Sequence, residues 1–112
     1  MSKYIGKTIA VGILMLAPMT AFARDLGNPE RGLVIARRSC VACHAVTADR
    51  AMSPNPKAPP FVAMAQTPGM TAIALRAALQ TSHRTMPNLV LRKQRREDVI
   101  AYILQLRESP ST

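Results

Sequence analysis

Apolar positions recur at helical spacing in three stretches of this chain and lose all period between the first and the second. From Pro29 the run Gly32-Leu33-Val34-Ile35-Ala36 leads to Cys40, with Leu33, Ala36 and Cys40 on one face. Asn28 is a capping residue, Pro29 suits the first helical position, and Glu30 sits where the helix dipole favours negative charge. Gly32 lies inside this helix, where glycine costs about 1 kcal/mol relative to alanine. A second helix crossing at close range would account for it; a tolerated surface glycine is the other reading. From Ala45 to Gly69 the prolines at 54, 56, 59, 60 and 68 forbid a continuous helix, and nothing alternates like a strand. Only Phe61 to Ala65 allows a helical turn. Periodicity returns from Met70 to Gln80, capped by Thr71, with Ala72, Leu75, Ala78 and Leu79 on one face. Ser82 to Asn88 is a loop in which Pro87 keeps Met86 out of helical geometry. The last element runs from about Lys93 to Arg107 and carries the stripe Val99, Tyr102, Ile103 and Leu106. The pattern predicts an all-α fold.

Residues 1–23 stand apart. Lys3 and Lys7 precede an apolar run from Ile9 to Ala17, and Ala21-Phe22-Ala23 places small residues where a signal peptidase reads. The run is far short of the ~20 residues that span a bilayer. Residues 1–23 are therefore expected to be a secretory signal peptide cleaved before Arg24, with an uncleaved anchor as the alternative. That leaves 24–112, 89 residues, as one domain, and domains so small usually need a staple beyond their own core. Without Lys3 and Lys7 this part has 13 basic against 6 acidic residues. It contains no tryptophan, and the whole chain has only two tyrosines and two phenylalanines. Such a surface suits partners with acidic docking faces and is poorly equipped to stack on nucleic acid bases. No stable membrane insertion is expected after signal cleavage.

The residues that carry chemistry are Cys40-Val41-Ala42-Cys43-His44. Thiols three apart share one side of a helical turn, and a residue four along stacks above the first. This is the C-x-x-C-H pattern of covalent haem attachment, with histidine as the proximal iron ligand. A thioredoxin-like pair would need a βαβ context that is missing here. Zinc would need further ligands, of which only His83 remains, and a structural disulfide would leave His44 unexplained.

A six-coordinate iron needs a second axial ligand. Met86 is the choice: it lies outside a helix, is stiffened by Pro87, and follows His44 by 42 residues, enough chain to pass round a flat group. Methionine opposite histidine raises the iron's reduction potential. His83 is the rival, while Met52, Met64 and Met70 are expected to fill gaps in the core.

Taken together, residues 24–112 resemble a small class I monohaem cytochrome c of the exported bacterial type. The resemblance rests on the first helix, the Cys40-to-His44 motif, a looping segment, a short middle helix, the Met86-Pro87 loop and a C-terminal helix. It implies three to four helices wrapped around one haem c held through Cys40 and Cys43, with His44 and Met86 on the iron. It also implies that Gly32 crosses against Val99 and Tyr102, and that the Pro59 carbonyl, in Ala58-Pro59-Pro60-Phe61, accepts the proton of the other His44 nitrogen. Three features depart from that pattern. Ala36 stands where an aromatic is usual, no tryptophan is available for a haem propionate, and Arg92 replaces the hydroxyl cap of the last helix. The implied function is periplasmic single-electron transfer without substrate chemistry of its own, to redox proteins that dock on Arg37, Arg38, Arg84 and the cluster Arg92, Lys93, Arg95 and Arg96. The alternatives are a haem subunit of a dehydrogenase or oxidase complex, and a haem that binds or senses a small molecule through a labile sixth position.

Overall fold

The computed structural model describes residues 27–81, 86 and 89–110, besides Gly6 and Gly12. Residues 1–23, expected to be a signal peptide, lie outside the described residues but for Gly6 and Gly12, as do His83, Arg84 and Pro87. Four α-helices follow in order: α1 Pro29–Ser39, α2 Phe61–Gln66, α3 Ala72–Gln80 and α4 Lys93–Gln105. The described residues contain no strand, so the fold is all-α. None of these helices is long and apolar enough to cross a membrane.

The local signals act where the residue types place them. The Asn28 side chain accepts the Arg31 N–H at 2.9 Å, and Thr71 Oγ1 accepts the Ala74 N–H at 3.1 Å, each satisfying one orphan donor of a first turn. Arg92 caps α4 with no side-chain bond. The C-terminal element was expected as one helix to Arg107; its α-helical part ends at Gln105 and tightens into a 3₁₀ turn over Leu106–Glu108. The Phe61 turn lengthens by one residue, to Gln66.

The main contact in the fold is the crossing of α1 and α4. A Cβ placed on Gly32 would overlap the Asp98 carbonyl and stand 2.7 Å from Tyr102 Cβ, so only glycine fits. Of the two readings left open for this residue, the close crossing is the one observed. It also turns α1 slightly from the face expected of it: Gly32, Ile35 and Ala36 are buried, and Leu33 only packs at the edge. Ala36, fully buried, leaves the room into which α4 sinks. On the α4 side Val99, Ile100, Tyr102 and Ile103 are buried.

The same crossing carries a buried carboxylate. Asp98, 2 % exposed, accepts the Asn28 N–H at 2.7 Å and the Arg31 Nε–H at 3.1 Å, and Gln94 donates to it at 3.2 Å. Burial alone would raise the Asp98 pKa; the bonds from Arg31, Asn28 and Gln94 outweigh it and hold the carboxyl below its usual range. A depressed folded pKa adds stability above the unfolded value of about 3.9, and that stability disappears as pH falls through the folded value.

Two outcomes follow from the crossing. Gly32→Ala should cost about 3 kcal/mol, the upper end for overpacking, read from the urea midpoint. Asp98→Asn should cost about 2 kcal/mol at pH 7, and the difference from the parent should shrink as both are titrated below about pH 4.

Candidate functional site

Helix α1 hands directly into the cysteine motif. The Cys40 N–H still bonds the Ala36 carbonyl at 2.8 Å, and the Cys43 and His44 N–H groups close onto the Cys40 carbonyl at 3.2 and 2.9 Å. The chain therefore stays coiled through the motif, which keeps the two thiols on one side. Both are free thiols, Cys40 buried and Cys43 half-buried. Burial pushes the Cys40 thiol up to about 11, so it stays protonated at neutral pH.

His44 is fixed through its ring. Nδ1 lies 2.8 Å from the Pro59 carbonyl oxygen. A carbonyl can only accept, so Nδ1 is the donor, and of the two ring nitrogens Nε2 is the one left to ligate a metal. The ring also leans on Phe61, centroid to centroid 5.4 Å, and Phe61 in turn meets Tyr102 at 6.4 Å. Tyr102 donates its hydroxyl to the Val46 carbonyl, tying α4 to the chain just after the histidine.

Cys40, Cys43 and His44 all face one cavity of about 530 Å³. That lies within the ~300–1,000 Å³ usual for ligand sites. The loop and α2 add Pro59, Phe61 and Met64; α3 adds Leu75, Ala78 and Leu79; α4 adds Val99 and Ile103. Met86 and Leu89 close the remaining wall. The apolar face expected of α3 thus lines the cavity with Leu75, Ala78 and Leu79, and Leu75 also joins the core. Among the described lining residues the polar ones are Ser39, Asn55, His44 and Lys57, and there is no carboxylate.

The structure brings together Cys40, Cys43, His44, Pro59 and Met86, contributed by segments far apart in sequence. His83, the rival ligand, lies outside the described residues. The methionines expected to fill the core divide: Met64 and Met70 pack against it, but Met52 is 84 % exposed. The loop at that point turns Ser53 inward, where its hydroxyl accepts the Ala45 N–H at 3.0 Å, and so Met52 faces out. Met64, which the loop was expected to lay over a cofactor if it wraps one, does line the cavity. Met64 sits one turn beyond Phe61, on the wall that supports His44, whereas Met86 comes from a separate segment.

The basic cluster at the start of α4 is not one surface either. Arg92, Lys93 and Arg95 are exposed, but the Arg96 side chain is only 16 % exposed. It turns towards Glu97, which Arg76 grips with two bonds of 2.8 and 2.7 Å. Arg37 and Arg38 are exposed as expected of docking residues.

The residues present suit a flat iron-bearing macrocycle with two reactive edge groups. A nitrogen lone pair, a thioether sulfur and two thiols surround a space with apolar walls. Among the described residues no group of three or more His, Cys, Asp or Glu side chains is placed to hold a bare metal ion. No protein-family model, curated protein or solved structure matches the chain.

The geometry also orders the two thiols. In a chain without covalent pigment, Cys43 should react with iodoacetamide at pH 8 well ahead of the buried, protonated Cys40, as peptide mass mapping would show.

Proposed function

We propose that this protein is an exported single-electron carrier holding one haem c, and that residues 24–112 form a class I cytochrome c domain. The observation that carries the reading is the convergence of Cys40, Cys43 and His44 with Met86 on one apolar cavity. The second support is the proton held on His44 Nδ1 by Pro59, which leaves the opposite nitrogen free.

Each residue has a role in this reading. Cys40 and Cys43 would hold the macrocycle through thioether bonds and prevent its loss. His44 Nε2 would hold the iron, with the Pro59 carbonyl fixing the ring's tautomer and raising its basicity. Met86 would offer a sulfur ligand. The bound iron would supply the redox chemistry, cycling between its ferric and ferrous states. Leu75, Leu79, Val99 and Ile103 line the cavity and would keep water from the iron, favouring the less charged reduced state.

The surface is suited to the partners proposed for it. Glu97 and Asp98 are taken up by Arg76 and Arg31, and the exposed cations include Arg37, Arg38, Arg92, Lys93 and Arg95, with Arg50, Lys57 and Arg107 besides. Redox partners with acidic docking faces would be drawn to it at long range, and that attraction would weaken with salt.

The exported protein should keep its colour through denaturing electrophoresis, and its intact mass should equal that of the mature chain plus one haem. A mass equal to the bare chain, with both thiols open to alkylation after denaturation, would remove the reading. Met86→Ala should abolish the ferric methionine–iron absorption band and lower the reduction potential, while Met64→Ala leaves the band in place.

A further inference from the structure

The four residues 43–46 are fastened from outside at every residue. The Cys43 carbonyl accepts the Asn55 N–H at 3.1 Å, and the Ala45 carbonyl accepts the Phe61 N–H at 2.9 Å. Pro59 holds the His44 ring, Tyr102 donates to the Val46 carbonyl, and Ser53 Oγ accepts the Ala45 N–H. Three of these five anchors come from within residues 47–60, which leave the motif and return to it. The bonds from Asn55, Phe61 and Pro59 use backbone groups, which most substitutions would leave in place. Among the described residues, Ser53 is the one member of residues 47–60 that reaches 43–46 through a side-chain atom.

We infer that Ser53 is a positioning residue for His44, and that residues 47–60 act as a clasp setting the angle of the histidine ring. The inference rests on His44 being the iron ligand proposed above. Ala45 is only 1 % exposed, so its N–H has no water to turn to if the hydroxyl is removed. A buried donor without a partner is costly, and the main chain after His44 would rotate to find one. That peptide and the ring share the His44 Cα, so rotation there swings Nδ1 away from the Pro59 carbonyl. A weaker Nδ1–H···O bond makes the imidazole a poorer electron donor, which favours the reduced state of the metal it holds.

The test uses the full exported chain with Ser53→Ala, Ser53→Val and Ser53→Thr, the last two differing chiefly in the hydroxyl. Thr71→Ala serves as control, because it removes a helix cap without touching residues 43–46. Two quantities are read: water exchange of the His44 Nδ1 proton by NMR, and the midpoint potential. Ser53→Ala and Ser53→Val should speed exchange about fivefold, the equivalent of one ordinary hydrogen bond, and raise the potential. Ser53→Thr and Thr71→Ala should move neither. Equal responses in Ser53→Val and Ser53→Thr, or in Ser53→Ala and Thr71→Ala, would overturn the inference. If the chain carries no covalent pigment, the functional reading fails separately, and the exchange rates still decide whether Ser53 positions the ring.

Discussion

Helices α1 and α4 meet backbone to backbone at Gly32, and beyond that crossing the elements part around about 530 Å³ of mostly apolar space. The energetics of that space govern the rest of the structure. Left to solvent, the apolar walls of this space forgo burial worth ~25 cal/mol per Å², a cost that a small domain with only ~5–15 kcal/mol of net stability bears poorly. Among the described residues the side chains it can set against the cost are mainly aliphatic ones such as Val99, Ile100 and Ile103, joined by Phe61. A covalently held plate, as proposed, converts the deficit into contact area and gives the inward faces of α3 and α4 something to pack on.

The charges are arranged around the same constraint. The two adjacent carboxylates of α4 point to different neighbours, Asp98 to α1 and Glu97 to Arg76 of α3. They tie α4 to α1 and to α3, helices that border the cavity. Arg76 and Glu97 form a two-bond pair of the planar, directional kind, with Glu97 held below the usual carboxylate range mainly by its bonds to Arg76. The basic first turn of α4 has no cap of its own, and its cost is offset by what the next turn holds.

Much of this was legible in the sequence, and the failures have identifiable causes. Helix positions followed from caps and periodicity because those are local signals: Asn28-Pro29, Thr71 and the Val99-to-Leu106 stripe each act within a few residues. Within its own helix Gly32 was ambiguous, since close approach is a property of two helices, and only the resemblance pointed to the crossing. Met52 was misjudged for a related reason. In a loop without period, side-chain type does not say which residue turns inward, and here a hydroxyl was needed by the Ala45 N–H more than a thioether was needed by the core. Arg96 looked like one more exposed cation because the sequence does not show that Glu97 beside it is anchored to α3. The convergence of Met86 with the cysteine motif is a matter of tertiary folding, anticipated because Pro87 keeps Met86 out of a helix and 42 residues of chain separate it from His44.

The central claim is that the cofactor forms the interior. It is tested most directly by removing both attachment points with Cys40→Ser and Cys43→Ser, exporting the chain alongside the parent, and following urea unfolding by circular dichroism. The account predicts a colourless chain with no cooperative transition, against a sharp one for the parent. A colourless chain that unfolds cooperatively at the parent's midpoint would contradict it.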